Sequence, residues 1–140
     1  MHTIVLATQK GGSGKSTLAI GLARAAIDAG HTVRLIETDQ QGTLTNWQAR
    51  RNHAEPRVEP VYAAGDIAER LADLADEGVT LAIVDTAGGV GAATSAAIRH
   101  ADLCLIPARP SVVDIEATAV TLAEVRRADR PFAFVLNQTP

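Results

Sequence analysis

The chain has 140 residues, enough for one domain with a sizeable core. Its apolar fraction of 46% includes only 3% aromatic residues, so the core must be built from Ala, Val, Leu and Ile, which suits layered β/α packing. A net charge of −3 gives no overall basic field for nucleic acid, one cysteine excludes a disulfide framework, and no apolar run reaches the roughly 18 residues of a membrane span. Met1 leads directly into a strand pattern with no leader before it, so a cytoplasmic protein is expected. The four histidines show no mutual spacing that suggests a metal site.

A β-branched run predicts the first strand from His2 to Ala7. It is followed by Thr8-Gln9-Lys10-Gly11-Gly12-Ser13-Gly14-Lys15-Ser16-Thr17 and then by an apolar helical pattern starting at Leu18. Glycines here let successive backbone N–H groups curl around a phosphate chain. Lys15 can reach the terminal phosphates, Ser16 can offer its hydroxyl to Mg²⁺, and the following helix adds its positive end. Lys10 to Thr17 is therefore the predicted nucleotide-binding loop. The general pattern G-x-x-x-x-G-K-[ST] is not met, because Gln9 stands where the first glycine belongs. The narrower form K-G-G-x-G-K-[ST] is met, with a second lysine at Lys10.

The first helix is expected from Ser16 to Ala29 and closes at Gly30. A second strand, Thr32 to Glu37, runs into the acidic turn Glu37-Thr38-Asp39-Gln40-Gln41-Gly42 and a short helix from about Leu44 to Arg51. After a third strand, Val58 to Tyr62, the third helix aligns Ile67, Leu71 and Leu74, opened by Asp66 with Glu69 as capping partner and closed by Gly78. The fourth strand, Leu81 to Asp85, ends four apolar residues with a carboxylate. That is the pattern of a Walker B aspartate holding Mg²⁺ through water, and Gly88-Gly89 lets the next loop follow a γ-phosphate. The fifth strand, Leu103 to Pro107, carries Cys104 as a small buried hydrophobe. The fifth helix, Val112 to Ala128, opens with Ser111-x-x-Asp114 and is expected to bury Ile115, Ala119, Leu122 and Val125. A sixth strand, Phe132 to Leu136, precedes Asn137. The alternation predicts an α/β fold: a mostly parallel sheet with helices on both faces and a ligand crevice at the strand C-termini. Trp47 and Tyr62 read as packing residues, because the chain offers no aromatic platform for single-stranded nucleic acid.

The loop with Lys10 resembles the deviant Walker A box of the ParA/MinD superfamily of P-loop ATPases, and the resemblance runs over nearly the whole chain. Ile36 to Trp47 is similar to the D-x-D-P-Q-G segment and following helix of the small, ParF-like plasmid-partition members. Glu37 stands in place of the first Asp and Gln40 in place of the Pro. The resemblance implies ATP or ADP with Mg²⁺ as ligands, and a homodimer formed with ATP in which Lys10 reaches the partner's nucleotide. It implies that Lys10, Lys15 and Asp39 are catalytic, Asp39 positioning the attacking water, and that Ser16, Asp39 and Asp85 attend the metal. It sets Asn137 against the adenine ring and the loop Pro107 to Asp114 at the dimer interface. The lone cysteine argues against relatives that hold an iron–sulfur cluster.

The implied function is a slow, partner-stimulated ATPase. It would act as a dimerisation switch in plasmid or chromosome partition, associated with the nucleoid through non-specific DNA and released by a ParB-like adaptor, without a membrane. Arg50, Arg51, Arg126, Arg127 and Arg130 are the candidate basic contributors. Two alternatives stay open on the same scaffold. One is a metabolite-directed enzyme of the dethiobiotin synthetase kind. The other is a MinD-like membrane-recruited cell-division regulator, which requires a C-terminal amphipathic helix that the sequence does not contain. Relatives usually continue for another βα stretch, so residues 1–140 are expected to be a single P-loop ATPase domain cut short at its C-terminal side.

Overall fold

Strand and helix periods alternate along the chain, and the polypeptide folds as they dictate. The structure, a computed structural model, describes residues 1–8, 14–89 and 91–137. In chain order the elements are β1 (His2–Leu6), α1 (Lys15–Asp28), β2 (Val33–Glu37), α2 (Thr43–Ala49), β3 (Arg57–Pro60), α3 (Ala64–Asp76), β4 (Leu81–Asp85), α4 (Ala92–Arg99), β5 (Leu103–Ala108), α5 (Val112–Arg127) and β6 (Phe132–Leu136). The strands form one sheet in the order β3-β2-β4-β1-β5-β6, every pairing parallel.

The pleat sends alternate residues to opposite faces. Val5, Ile36 and Val84 meet Ile67, Leu71 and Leu74 of α3, Ala96 to Ile98 of α4 and Val125 of α5. Leu6, Leu35 and Ile83 meet Ala19 and Ala23 of α1 and Leu44 of α2 on the other side. The three-layer arrangement follows, with small alanines letting α1 lie close to the sheet. The register pairs Leu6 with Asp85 and Glu37 with Asp85, so β1, β2 and β4 end at one level. β1 lies between β4 and β5 where the strand order reverses, and the crevice opens beyond its C-terminus.

The predicted elements are found with ends displaced by one or two residues, and the turn at Gly30 closes α1 as expected, His31 N–H donating to Ala26 O at 3.0 Å. Two expectations need correction. α3 begins at Ala64 rather than at Asp66. No side chain caps it, and Asp66 N–H already donates to Ala63 O at 3.1 Å, so the Asp66 carboxylate sits in the first turn, where it favours the helix dipole. The inward face of α5 is Asp114, Thr118, Thr121 and Val125, not the row through Ile115 and Ala119. Ser111 does cap this helix, accepting from Asp114 N–H at 3.2 Å. The Asp114 carboxylate, however, is turned inward by Arg109, whose Nε and Nη2 donate to it at 3.0 and 3.1 Å. Ile115 is left 54% exposed.

Candidate functional site

Three strand ends and two helix starts converge on a cavity of about 230 Å³ lined by Gly14, Lys15, Ser16, Thr17, Asp39, Thr43, Asp85, Thr86 and Gly88. The backbone laces these ends together. Thr38 N–H donates to Asp85 O at 3.0 Å, Thr86 Oγ1 donates to Leu6 O at 2.7 Å, and Gly89 N–H donates to Thr8 O at 3.0 Å. The four predicted residues Lys10, Gly11, Gly12 and Ser13 lie outside the described residues.

Gly14 caps α1 with φ +88°, a conformation strained for any residue with a Cβ. A Cβ there would also stand 2.0 Å from Asn137 Nδ2, so the Asn137 side chain would have to move away. Asn137 is held at the end of β6 by its N–H, which donates to Ala108 O at 2.8 Å. The residue named in the sequence as a nucleotide contact therefore stands against the phosphate-binding loop.

Lys15 opens α1 and is only 8% exposed. Burial lowers its pKa below the ordinary lysine value, while the nearby carboxylates of Asp85 and then Asp39 push it back up. Ser16 Oγ donates to Asp85 Oδ2 at 2.6 Å. Asp85 is 3% exposed, and its Oδ1 has no hydrogen-bond partner among the described residues. Burial raises its pKa to about 6, opposed by the Ser16 hydrogen bond and the Lys15 charge and reinforced by Glu37 and Asp39. A buried carboxylate with an orphaned oxygen, beside a hydroxyl and within the field of two more carboxylates, is short of positive charge. The donors are all hard oxygens, the set that suits Mg²⁺. Among the described residues no group of three or more acidic, His or Cys side chains could hold an ion alone. Mg²⁺ keeps several waters and relies on one or two protein ligands with substrate phosphates.

Asp39 projects from the turn after β2, its Oδ1 accepting from Gln41 N–H at 2.9 Å. Glu37 behaves differently. Fully buried, it accepts from Leu44 N–H at 2.7 Å, Thr45 N–H at 3.1 Å and the Thr45 hydroxyl. The left-handed turn at Gly42 (φ +72°) reverses the chain so that the start of α2 lands on this carboxylate. Glu37 thus satisfies first-turn donors of α2 that have no intrahelical partner and fixes the loop bearing Asp39 at both ends.

The sequence reading missed Thr43 and Thr86 as cavity residues and Glu37 as an anchor, whereas Gly88, read as part of the loop that follows a γ-phosphate, does line the cavity. Thr43 had a visible signal, its place directly after the glycine that starts a helix beside Asp39. The contacts of Glu37 had none, since they depend on the reversal at Gly42. Cys104 is buried with its pKa pushed up to about 11 by desolvation, which keeps it an inert thiol. Of the basic candidates, Arg51 stacks its guanidinium 4.3 Å from the Trp47 ring centre and Arg127 pairs with Glu124 at 2.8 Å. Among the described residues no helix is long and apolar enough to cross a membrane.

The model of the VirC1 protein family matches residues 1–128. The chain is 33% identical over 126 residues to the protein ParA of Rhizobium radiobacter, a match covering 87% of this chain and 55% of that protein. It is 32% identical over 129 residues to the protein virC1 of the same organism, covering 86% and 54% respectively. The chain thus spans about half the length of these curated relatives. The fold matches the Cyanothece McdA–ATP complex with a TM-score of 0.81 at 19% identity, over 97% of this chain and 70% of that one. The family match runs through the phosphate-binding loop, the Asp39 turn and the Asp85 strand alike, and the chain belongs to the VirC1 family within the ParA/MinD superfamily.

Proposed function

We propose that this chain is the nucleotide-binding and hydrolysing part of a ParA-type partition switch, which binds ATP with Mg²⁺ and closes with a second copy around the nucleotide. The observation that carries the reading is the Ser16–Asp85 contact with its orphaned Asp85 Oδ1, buried beside Lys15. Lys15 aims a desolvated cation at the β- and γ-phosphates. A buried cation acts most strongly on the charge that develops as phosphate leaves. Ser16 and Asp85, with Asp39 nearby, would hold Mg²⁺, which when bound neutralises the phosphate oxygens. Asp39 orients the attacking water, being fastened by Gln41 on one carboxylate oxygen. Lys10 contacts the phosphates of the second copy, and Asn137 packs the base side of the loop.

Slow hydrolysis, stimulated by a ParB-like adaptor, would release the dimer from non-specific DNA on the nucleoid. The likeness to the ParA and virC1 proteins supports this assignment of role. The test is calorimetry with ATP and Mg²⁺ on Lys15→Ala, which removes the cation aimed at the phosphates. Affinity should fall at least 100-fold, whereas Lys10→Ala should keep ADP binding and lose the ATP-dependent dimer in sedimentation. Unchanged ATP affinity in Lys15→Ala would overturn the assignment.

A further inference from the structure

The ladder between β2 and β4 runs out at the nucleotide end of the sheet. Its last pair is Glu37 with Asp85, followed by one more bond, from Thr38 N–H to Asp85 O at 3.0 Å. Beyond that point the two chains part: one turns towards α2 and carries Asp39, the other leaves β4 for α4 and carries Gly88. Both Asp39 and Gly88 line the nucleotide cavity. A single hydrogen bond joins the two turns. The Thr38 hydroxyl accepts from Ala87 N–H at 3.3 Å, and among the described residues no other hydrogen bond links residues 38–43 to residues 86–89.

The turn after β4 is moored on its other side to β1. Thr86 Oγ1 donates to Leu6 O at 2.7 Å, and Gly89 N–H donates to Thr8 O at 3.0 Å, two residues before the start of the phosphate-binding loop. β1 and the turn after β4 therefore form one frame, and the Thr38 hydroxyl is what ties the Asp39 turn to it. Thr38 is 6% exposed and does not line the nucleotide cavity. It can act on a bound nucleotide only through its neighbours.

We propose that Thr38 is a positioning residue for hydrolysis: its hydroxyl sets the spacing between the Asp39 turn and the Gly88 turn, and so keeps the attacking water in line with the γ-phosphate. The inference rests on the ATPase reading. In that reaction a bond forms from the water oxygen to the γ-phosphorus as the bond to the β-phosphate oxygen breaks, and the attacking and leaving oxygens must be roughly in line. Asp39 governs one of those oxygens, and the phosphate-binding loop governs the other. Without the Thr38 bond the two are held by separate parts of the chain, and small errors of placement slow the step without weakening the grip on nucleotide.

The test compares single-turnover hydrolysis of γ-labelled MgATP with calorimetric binding of MgADP and of a non-hydrolysable MgATP analogue. Thr38→Val keeps the shape of the side chain and removes the acceptor. Its rate should fall about tenfold, between the loss of one hydrogen bond and the misplacement of a reacting group. Both affinities should stay within about twofold of the parent, and the Ala87 amide should exchange faster. Thr38→Ser, which restores the hydroxyl without the methyl group, should recover the rate to within about threefold of the parent. An unchanged rate in Thr38→Val, or a serine variant as slow as the valine one, would overturn the inference. So would affinities that fall in step with the rate, the mark of a merely structural role. Should Thr38→Val not fold, Thr38→Ala set against Thr38→Ser carries the same comparison. A parent chain that binds MgATP and never cleaves it would overturn the ATPase reading and this inference with it, whereas a parent that cleaves ATP beside an unaffected Thr38→Val overturns the inference alone.

Discussion

α3 and α5 pack on the same side of the sheet, yet they bury opposite kinds of side chain. α3 turns Ile67, Leu71 and Leu74 inward. α5 turns Asp114, Thr118 and Thr121 inward together with Val125 and a half-buried Leu122, while Val112, Val113 and Ile115 stand 72%, 61% and 54% exposed. The first helix is held by removing apolar surface from water. The second is fastened by polar contacts to its surroundings, Arg109 with Asp114 and Ser95 Oγ with Glu124 at 2.7 Å, while the Thr118 hydroxyl is satisfied within the helix by Ile115 O at 2.6 Å. A helix whose capping acid finds a cation in the preceding loop can rotate away from its own apolar row. The nucleotide end of the sheet uses the same fastening, with Glu37 seating α2.

The largest expected effect lies in α3. Leu74→Ala empties a fully buried site and should cost about 3 kcal/mol in urea unfolding. A loss under 1 kcal/mol would show that α3 is not held by its apolar face. Asp85→Asn should act in the opposite direction in protein free of nucleotide and Mg²⁺. The folded pKa of about 6 exceeds the ordinary 3.8, so the folded state binds the proton more tightly, and stability falls as pH rises from about 4 to about 6. The variant lacks that slope and should be more stable by up to about 3 kcal/mol at pH 8, the gap closing near pH 4. A parent curve flat over this range would refute the cause assigned to the shift.

Glu37→Ala tests polar fastening where it is most buried. It strands two backbone donors and should cost about 2 kcal/mol, with faster amide exchange at Leu44 and Thr45. Protected amides at those positions would mean that α2 is seated by something else. The smallest effect belongs to Ile115→Ser, expected within about 0.5 kcal/mol because that side chain already meets water. A loss above 1.5 kcal/mol would return Ile115 to the core and remove the contrast with α3.

The order of elements, the parallel sheet and the ligand end were legible because strand and helix periods differ and Gly14, Gly30 and Gly78 punctuate them. The Ser16–Asp85 meeting was legible too, since a phosphate-binding loop and an aspartate at a strand end can share only the C-terminal edge of the sheet. What could not be read depended on distant or reversed partners. The row Ile115, Ala119, Leu122 and Val125 was a sound helical period; its second half packs on the core, while Ile115 and Ala119 lost their place to Asp114, held by an arginine in the loop before it. Glu37 looked like a substituted site carboxylate, and its partners became visible only once Gly42 had folded α2 back upon it.

The contact between Gly14 and Asn137 has a consequence for how the protein comes into being. The first loop after β1 is synthesised well before its neighbour Asn137 at the end of β6. A nascent chain carrying every residue from Gly14 to Gly88 still lacks one wall of its phosphate-binding loop until β6 has paired with β5. Such a sequence-distant closure is slow to find and late to form. Full affinity for nucleotide should therefore arise together with the docking of β6.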